Sequence, residues 1–293
     1  MPAVTAGPKA LPAPLLPQLL IGLRIVANTV VYRVRKLEMA NLAAVGSIAL
    51  ALRLPPFEIA VRGAFAFLLN ALVYLHNDYV DVELDISSTN KDTSNARYLA
   101  ENPRAALYAQ MLLLGLLAAV ALSFDPGMFV PLVAGSVICV WYSAQLKYKA
   151  GWDMVATTLG GTAMTLCGTP MTNHVGWLMA VQLGFFSGAF EAIQVLRDAD
   201  ADAAAGLRTT GVVLGKRRGI WFARAMMLVS SIFCALVLQP WAAVISLTAL
   251  LIPFDEHAVA QYWTRVKMVY GCCWLSVCAW IYFAGRAGGL LMP

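Results

Sequence analysis

The sequence predicts an all-α integral membrane protein, a bundle of about nine transmembrane helices. Three observations predict it. First, 60% of the 293 residues are hydrophobic, only 13% are charged and the mean hydropathy is +0.70, whereas soluble chains carry about a quarter charged residues. Second, the polar residues cluster between apolar stretches of roughly 16–22 residues, the length that crosses a bilayer as helix. Third, basic residues fall almost entirely on alternate connections, as the positive-inside rule requires of a multi-pass chain.

Residues 1–17 are rich in Pro and Ala without periodicity, and lack the basic-then-apolar order of a cleaved signal peptide. They are expected to be a disordered tail. Residues 18–36 mix apolar residues with Arg24, Arg33, Arg35 and Lys36, as in an amphipathic segment on an anionic leaflet or a basic flank orienting the first span. Residues 1–36 are thus set apart from a membrane domain over 37–293. Its expected spans are 37–54, 57–76, 105–123, 128–145, 153–170, 175–196, 219–238, 240–254 and 268–285. Arg53 and Arg62 interrupt the first two, and the eighth is short and ends at Pro253.

With that count, Arg33, Arg35, Lys36, Lys91, Arg97, Arg104, Lys147, Lys149, Arg197, Arg208, Lys216, Arg217, Arg218, Arg265 and Lys267 share the side of the N-terminus. Arg53 and Arg286 are nearly alone opposite. The expected location is therefore a bacterial inner (plasma) membrane, multi-pass, with the N-terminus cytoplasmic. The +5 net charge is accounted for by topology and does not argue for nucleic acid. The six cysteines all lie in apolar stretches, and only His76, His174 and His257 accompany them. Helix packing explains them better than disulfides or zinc.

Two acidic segments stand out. The second span ends in Asn77-Asp78-Tyr-Val-Asp81-Val-Glu83-Leu-Asp85. Asp78, Asp81 and Asp85 share one helical face, as do Asn77, Asp81 and Asp85, and Tyr74 and Asn70 carry that face inward. The sixth span ends in Arg197-Asp198-Ala-Asp200-Ala-Asp202, followed by Gly206, Arg208, Thr209 and Thr210. Asp198 and Asp202 share a face that Gln194 and Glu191 extend inward, while Asp200 points elsewhere. Four spans separate the segments, so both end on the same, cytoplasmic side. Carboxylates gathered near a bilayer repel one another and are poorly solvated. A hard divalent cation resolves both problems, and Mg²⁺ characteristically combines one or two carboxylates with substrate phosphates. Paired acidic stripes therefore suit a Mg²⁺–diphosphate complex better than two ordinary helix-capping loops.

Asn77-Asp78-x-x-Asp81-x-x-x-Asp85 resembles the first signature of the UbiA superfamily of intramembrane prenyltransferases. Asp198-x-x-x-Asp202-x-x-x-Gly206-x-Arg208-Thr209-Thr210, followed by Leu214-Gly215, resembles the second. Tyr142-Ser143-Ala-Gln-Leu146-Lys147-Tyr-Lys149 is similar to the family's loop between the fourth and fifth spans. The resemblance covers essentially the whole chain after the tail. It implies nine helices around a central cavity, with a cytoplasmic cap over its polar mouth. It also implies Mg²⁺-dependent departure of diphosphate from a polyprenyl diphosphate donor, and capture of the allylic cation by a small-molecule acceptor. Asp78, Asp81, Asp85, Asp198 and Asp202 would hold metal. Tyr142 and Lys147 would act with Asp78 and Asp198 at the reacting diphosphate, with Lys149 as an alternative to Lys147. Lys91, Arg97, Arg208, Asn77 and Tyr74 would complete the diphosphate site. Many quinone-pathway members carry an Arg-Pro pair after the first signature, whereas residues 87–98 contain no Pro. That departure points toward specialised metabolism or a divergent member of the family.

Transfer to an aromatic or other nucleophilic acceptor is the leading expectation. A cyclase of the same family would use the same diphosphate-ionising site and let the isoprenoid capture its own cation. An ion-coupled transporter predicts Gly/Pro-broken helices at mid-membrane, while here the acidic residues collect at span ends. Membrane lipid is the expected surrounding, and no obligate protein partner is evident.

Overall fold

The computed structural model describes residues 15–35, 39–87, 93–204 and 206–284, and these are folded as helices joined by short turns. In chain order they are α1 (Leu15–Arg35), α2 (Ala40–Ala51), α3 (Pro56–Val80), α4 (Val82–Ser87), α5 (Ser94–Glu101) and α6 (Pro103–Ser123). Then come α7 (Phe129–Ala144), α8 (Trp152–Thr165), α9 (His174–Ala204), α10 (Thr210–Phe233), α11 (Pro240–Leu247) and α12 (Val259–Ala284). Proline opens α3, α6 and α11 at the first helical position, where its fixed φ suits a helix and its missing N–H leaves no bond unmade.

Each of the nine expected spans has a helix, but their lengths differ from expectation. Seven helical segments are long and apolar enough to cross a bilayer: Leu15–Arg35, Pro56–Val80, Pro103–Ser123, Pro126–Ala144, His174–Ala204, Thr210–Leu238 and Val259–Ala284. The apolar helices at Ala40–Ala51 and Pro240–Leu251 are shorter, and α8 has 14 residues before a 3₁₀ turn at Leu166–Gly168. The N-terminal stretch expected to be amphipathic forms α1, whose first turn includes the last three residues of the expected tail. α1 is held by contacts at the end of the bundle that carries the acidic segments: Gly22 against Ala105 and Ala109 of α6, Arg24 over the Tyr98 ring of α5, and Arg33 against Asp78 of α3.

Close helix packing follows small residues. A Cβ on Gly184 would lie 2.0 Å from Thr162 Oγ1, and one on Gly188 2.2 Å from Thr158 Oγ1. The Gly-x-x-x-Gly face of α9 therefore lets α8 approach to backbone distance. The threonines of α8 satisfy their hydroxyls on carbonyls one turn back, as Thr158 does on Met154 at 2.8 Å and Thr162 on Thr158 at 3.1 Å. α9 is the central helix, packed on α8, α10 and α12. Inside it, Phe186 stacks on Tyr270 of α12 with centroids 4.4 Å apart, and Phe190 and Trp274 complete the cluster.

Arg62, which interrupts the second span in sequence, is 2% exposed and fully engaged. It donates to Glu58 (2.9 Å), to the Thr169 carbonyl (3.0 Å) and to Asp125 (2.7 Å). One guanidinium thus ties α3 to the α6–α7 and α8–α9 turns at the end opposite the acidic segments. Near that end a Cβ on Gly168 would meet the Val45 carbonyl at 2.6 Å, so α2 presses directly on the turn after α8. Among the described residues α3 and α9 make no substantial packing contact. α7 and α8 lie between them on one side, α2 and α12 on the other. The two acidic helices therefore stand apart with α7, α8, α2 and α12 around the space between them, and α4 and α5 pack beside the acidic end of α3.

Candidate active site

The first acidic segment is held at the end of α3. The helix stops at Val80 and Asp81 takes the C-cap (φ −90°, ψ 6°). Even so, the Asp81 amide bonds the Asn77 carbonyl at 2.9 Å and the Asp85 amide bonds the Asp81 carbonyl at 2.8 Å. The one continuous stripe expected from spacing is therefore bent at Asp81 yet keeps its four-residue register. Asp81 and Asp85 both lie within electrostatic range of Asp78.

Cations from two other elements meet these carboxylates. Arg33 of α1 pairs with Asp78 and lies 4.6 Å over the Tyr74 ring. Lys147, in the 3₁₀ turn Leu146–Tyr148, pairs with Asp81. One turn earlier, Ser143 donates to Asn77 Oδ1 at 3.1 Å. The end of α7 and the turn after it are thus docked on the first acidic segment by Ser143 and Lys147.

The second segment owes its shape to a reversal after α9. Gly206 has φ +73°, the left-handed conformation that glycine adopts without strain at a helix end. The Gly206 amide bonds the Ala203 carbonyl (3.0 Å) and the Leu207 amide the Asp202 carbonyl (2.9 Å). The chain folds back, so that Thr209 Oγ1 donates to Asp202 at 3.0 Å. Gly211 then passes α9 so closely that a Cβ there would meet the Val195 carbonyl at 2.0 Å. Asp198 is held bidentately by Arg197, both bonds 2.8 Å. Asp200 turns outward to Lys216 at 2.7 Å, on a different side from Asp198 and Asp202.

Asp153, which the sequence reading passed over, joins the halves of the site. It is 1% exposed at the start of α8. It accepts from the Met154 amide (2.9 Å), the Thr210 amide (2.8 Å) and the Thr210 hydroxyl. The Thr210 hydroxyl in turn accepts from the Gly151 amide at 2.7 Å. An acidic residue opening an apolar helix reads in sequence as an ordinary helix start, so only the fold reveals its partner 57 residues on. Arg33 was likewise visible only as part of a basic flank.

Tyr142 marks where the parts meet. Its hydroxyl lies within electrostatic range of Glu191, Asp153, Asp81 and Asp202. Carboxylates of the first segment, of α8 and of α9 thus all lie within range of one phenol. The remaining basic candidates are not drawn in. Arg97, Lys149 and Arg208 are exposed and make no ion pair with the acidic segments among the described residues. Lys91 lies outside the described residues.

Magnesium is implied by the chemistry of the donor set, so the fit matters. Among the described residues no three His, Cys, Asp or Glu side chains are gathered closely enough to ring a metal ion. Mg²⁺ does not need such a ring: it binds through one or two carboxylates and fills its octahedron with water and substrate phosphate. Asp78 with Asp81 or Asp85, and Asp198 with Asp202, supply hard oxygens in that number. The cations now on Asp78 and Asp81 show that this pocket of negative charge is balanced by positive charge. The residues fit magnesium held jointly with a diphosphate.

Comparison with known proteins agrees with this fold. A lycopene elongase/hydratase of Haloferax volcanii is 30% identical over 235 residues, covering 74% of each chain. A solved UbiA homologue of Archaeoglobus fulgidus bound to DMAPP and Mg²⁺ shares the fold with a TM-score of 0.62 at 16% identity, covering 84% of this chain and 96% of that one. A digeranylgeranylglyceryl phosphate synthase structure aligns with a TM-score of 0.67 at 14% identity, covering 91% and 98%. Residues 40–269 match the UbiA prenyltransferase family, and the chain belongs to that family.

Proposed function

We propose that the protein transfers an isoprenoid from a prenyl diphosphate to an apolar, π-nucleophilic acceptor, with Mg²⁺ at the two acidic segments. The observation that carries this is the approach to Tyr142 of carboxylates from α3, α8 and α9. A site with that much negative charge at a membrane-facing mouth suits a metal-bound diphosphate.

Asp78, Asp81, Asp85, Asp198 and Asp202 would hold magnesium, which when bound supplies charge neutralisation to the departing diphosphate. Lys147 and Arg33 are already at the first segment and would turn from Asp81 and Asp78 toward the diphosphate oxygens. Tyr142 would donate to the same group. Asn77, fixed by Ser143, and the Asp153–Thr210 link would hold the two segments at constant separation.

The acceptor assignment is supported by the Haloferax relative, which carries lycopene, a polyene hydrocarbon, in its name. The mouth and the N-terminal helix would lie on the cytoplasmic side, where the basic residues collect. The test is to incubate purified protein with Mg²⁺ and a panel of allylic diphosphates, with and without polyene or aromatic acceptors. Metal-dependent diphosphate release coupled to alkylated polyene supports the proposal. Alkylation of aromatic acids alone would overturn the acceptor assignment. Acceptor-independent hydrocarbon products would replace transfer by cyclisation.

A further inference from the structure

Glu191 is a carboxyl deep in a membrane helix for which neither the metal nor the diphosphate has a use. It shares the face of α9 that carries Gln194, Asp198 and Asp202, at spacings of three, four and four residues. Seven residues at 1.5 Å per residue set it about 10 Å deeper than Asp198. The surrounding charged groups are Asp153, Asp198, Arg197 and Asp202, and Glu191 is the foremost charged neighbour of the Tyr142 hydroxyl. It is half-buried on the central helix α9, on the side that meets Asp153 of α8 and Tyr142 of α7. Asp78, Asp81, Asp153 and Asp198 all have ion-pair or hydrogen-bond partners. The Glu191 carboxyl has no hydrogen-bond or ion-pair partner among the described residues.

An unpartnered carboxyl at that depth is costly, and structure alone gains nothing from it. Its depth is informative. A diphosphate held at the level of Asp81 and Asp198 places the donor's C1 one step further in, toward Glu191. We infer that Glu191 is the base that ends the transfer. This rests on the prenyl-transfer reading above.

The step balances as follows. The C1–O bond of the allylic diphosphate breaks, and its electron pair leaves with the diphosphate. The π-electrons of an acceptor C=C form the new bond to C1, which leaves a carbocation on the adjacent acceptor carbon. A C–H bond next to that carbon breaks. Its electron pair becomes the new C=C, and its proton passes to a Glu191 carboxylate oxygen. Glu191 later releases that proton to water at the mouth. Without a base at this point, the acceptor cation persists until water captures it as an alcohol.

The experiment compares wild type, Glu191→Gln and Glu191→Asp as full chains in detergent, with Mg²⁺, an allylic diphosphate and a polyene acceptor. It measures diphosphate released, deprotonated alkylated product, hydroxylated product and the Kd of a non-ionising allylic thiodiphosphate. For Glu191→Gln the expected result is an unchanged Kd and continued diphosphate release. Deprotonated product should fall by about 100-fold or more, the scale of a lost general base, with hydroxylated product taking its place. Glu191→Asp should restore part of the deprotonated product with a shifted pH profile. A product-to-diphosphate ratio equal to wild type in Glu191→Gln, or a wild type whose alkylated product is already the alcohol, overturns the inference. If Glu191→Gln does not fold, Glu191→Asp decides: a wild-type ratio and pH profile there overturns it. Wild-type protein that releases no diphosphate from any allylic donor overturns prenyl transfer itself, a distinguishable failure.

Discussion

Replacing Asp153 by Ala should damage the site without touching any group that meets substrate. The carboxylate accepts three hydrogen bonds, and two of them cross from α8 to Thr210 at the start of α10. Asp153 is 1% exposed and Thr210 4%, so water does not replace those bonds. Each hydrogen bond to a charged acceptor contributes about 1.5–3 kcal/mol. The two crossing bonds together therefore set a ceiling of about 3–6 kcal/mol. Relief from burying a carboxylate offsets part of this, leaving an expected loss of about 2–4 kcal/mol. In a scan of detergent-solubilised protein that corresponds to an apparent Tm lower by about 5–10 °C. Freeing Thr210 also frees Thr209, which orients Asp202, so the Kd for an allylic thiodiphosphate with Mg²⁺ should rise by about tenfold. Asp153→Asn keeps one acceptor oxygen and should fall between. An Asp153→Ala protein with wild-type Tm and wild-type affinity would refute the positioning role.

Other perturbations separate stability from binding. Arg62→Met leaves Asp125, Glu58 and the Thr169 carbonyl without their donor. It should cost about 3 kcal/mol, the low end for a broken buried pair because both carboxylates keep some exposure, while diphosphate affinity in the surviving folded fraction is unchanged. Gly211→Ala drives a Cβ into the Val195 carbonyl and should cost about 1–3 kcal/mol in unfolding by overpacking. Lys147→Ala removes the cation that meets Asp81 and should weaken diphosphate binding by about 10–100-fold, the scale of one charge-assisted contact, with little change in Tm.

The membrane class and the two acidic stripes were legible because they rest on local quantities, apolar length and helical spacing. Asp198 and Asp202 separate from Asp200 in the fold as their spacing implies, because that rule needs only the helix itself. Span lengths were less legible. The break at Arg53 shortens α2 to Ala51, and the reversal at Gly206 lets α9 run to Ala204, eight residues past the expected end at 196. Both depend on turns whose geometry is set by contacts elsewhere. Long-range pairings were not legible at all. Nothing near Asp153 announces Thr210, and nothing near Arg33 announces Asp78, since each pair is formed by helices the sequence does not order in space. Arg62 shows the converse. A charge that weakens a span in sequence becomes its anchor once three partners from distant turns surround it.

The central claim is that the two acidic segments act together on a metal-bound diphosphate. Its most direct measurement is diphosphate release from an allylic diphosphate by wild type, Asp78→Ala and Asp198→Ala, each with Mg²⁺ and after chelation. The account predicts release by wild type that chelation abolishes, and loss in both variants although they reside in different helices. Release that survives chelation, or that is unchanged in either variant, would contradict it.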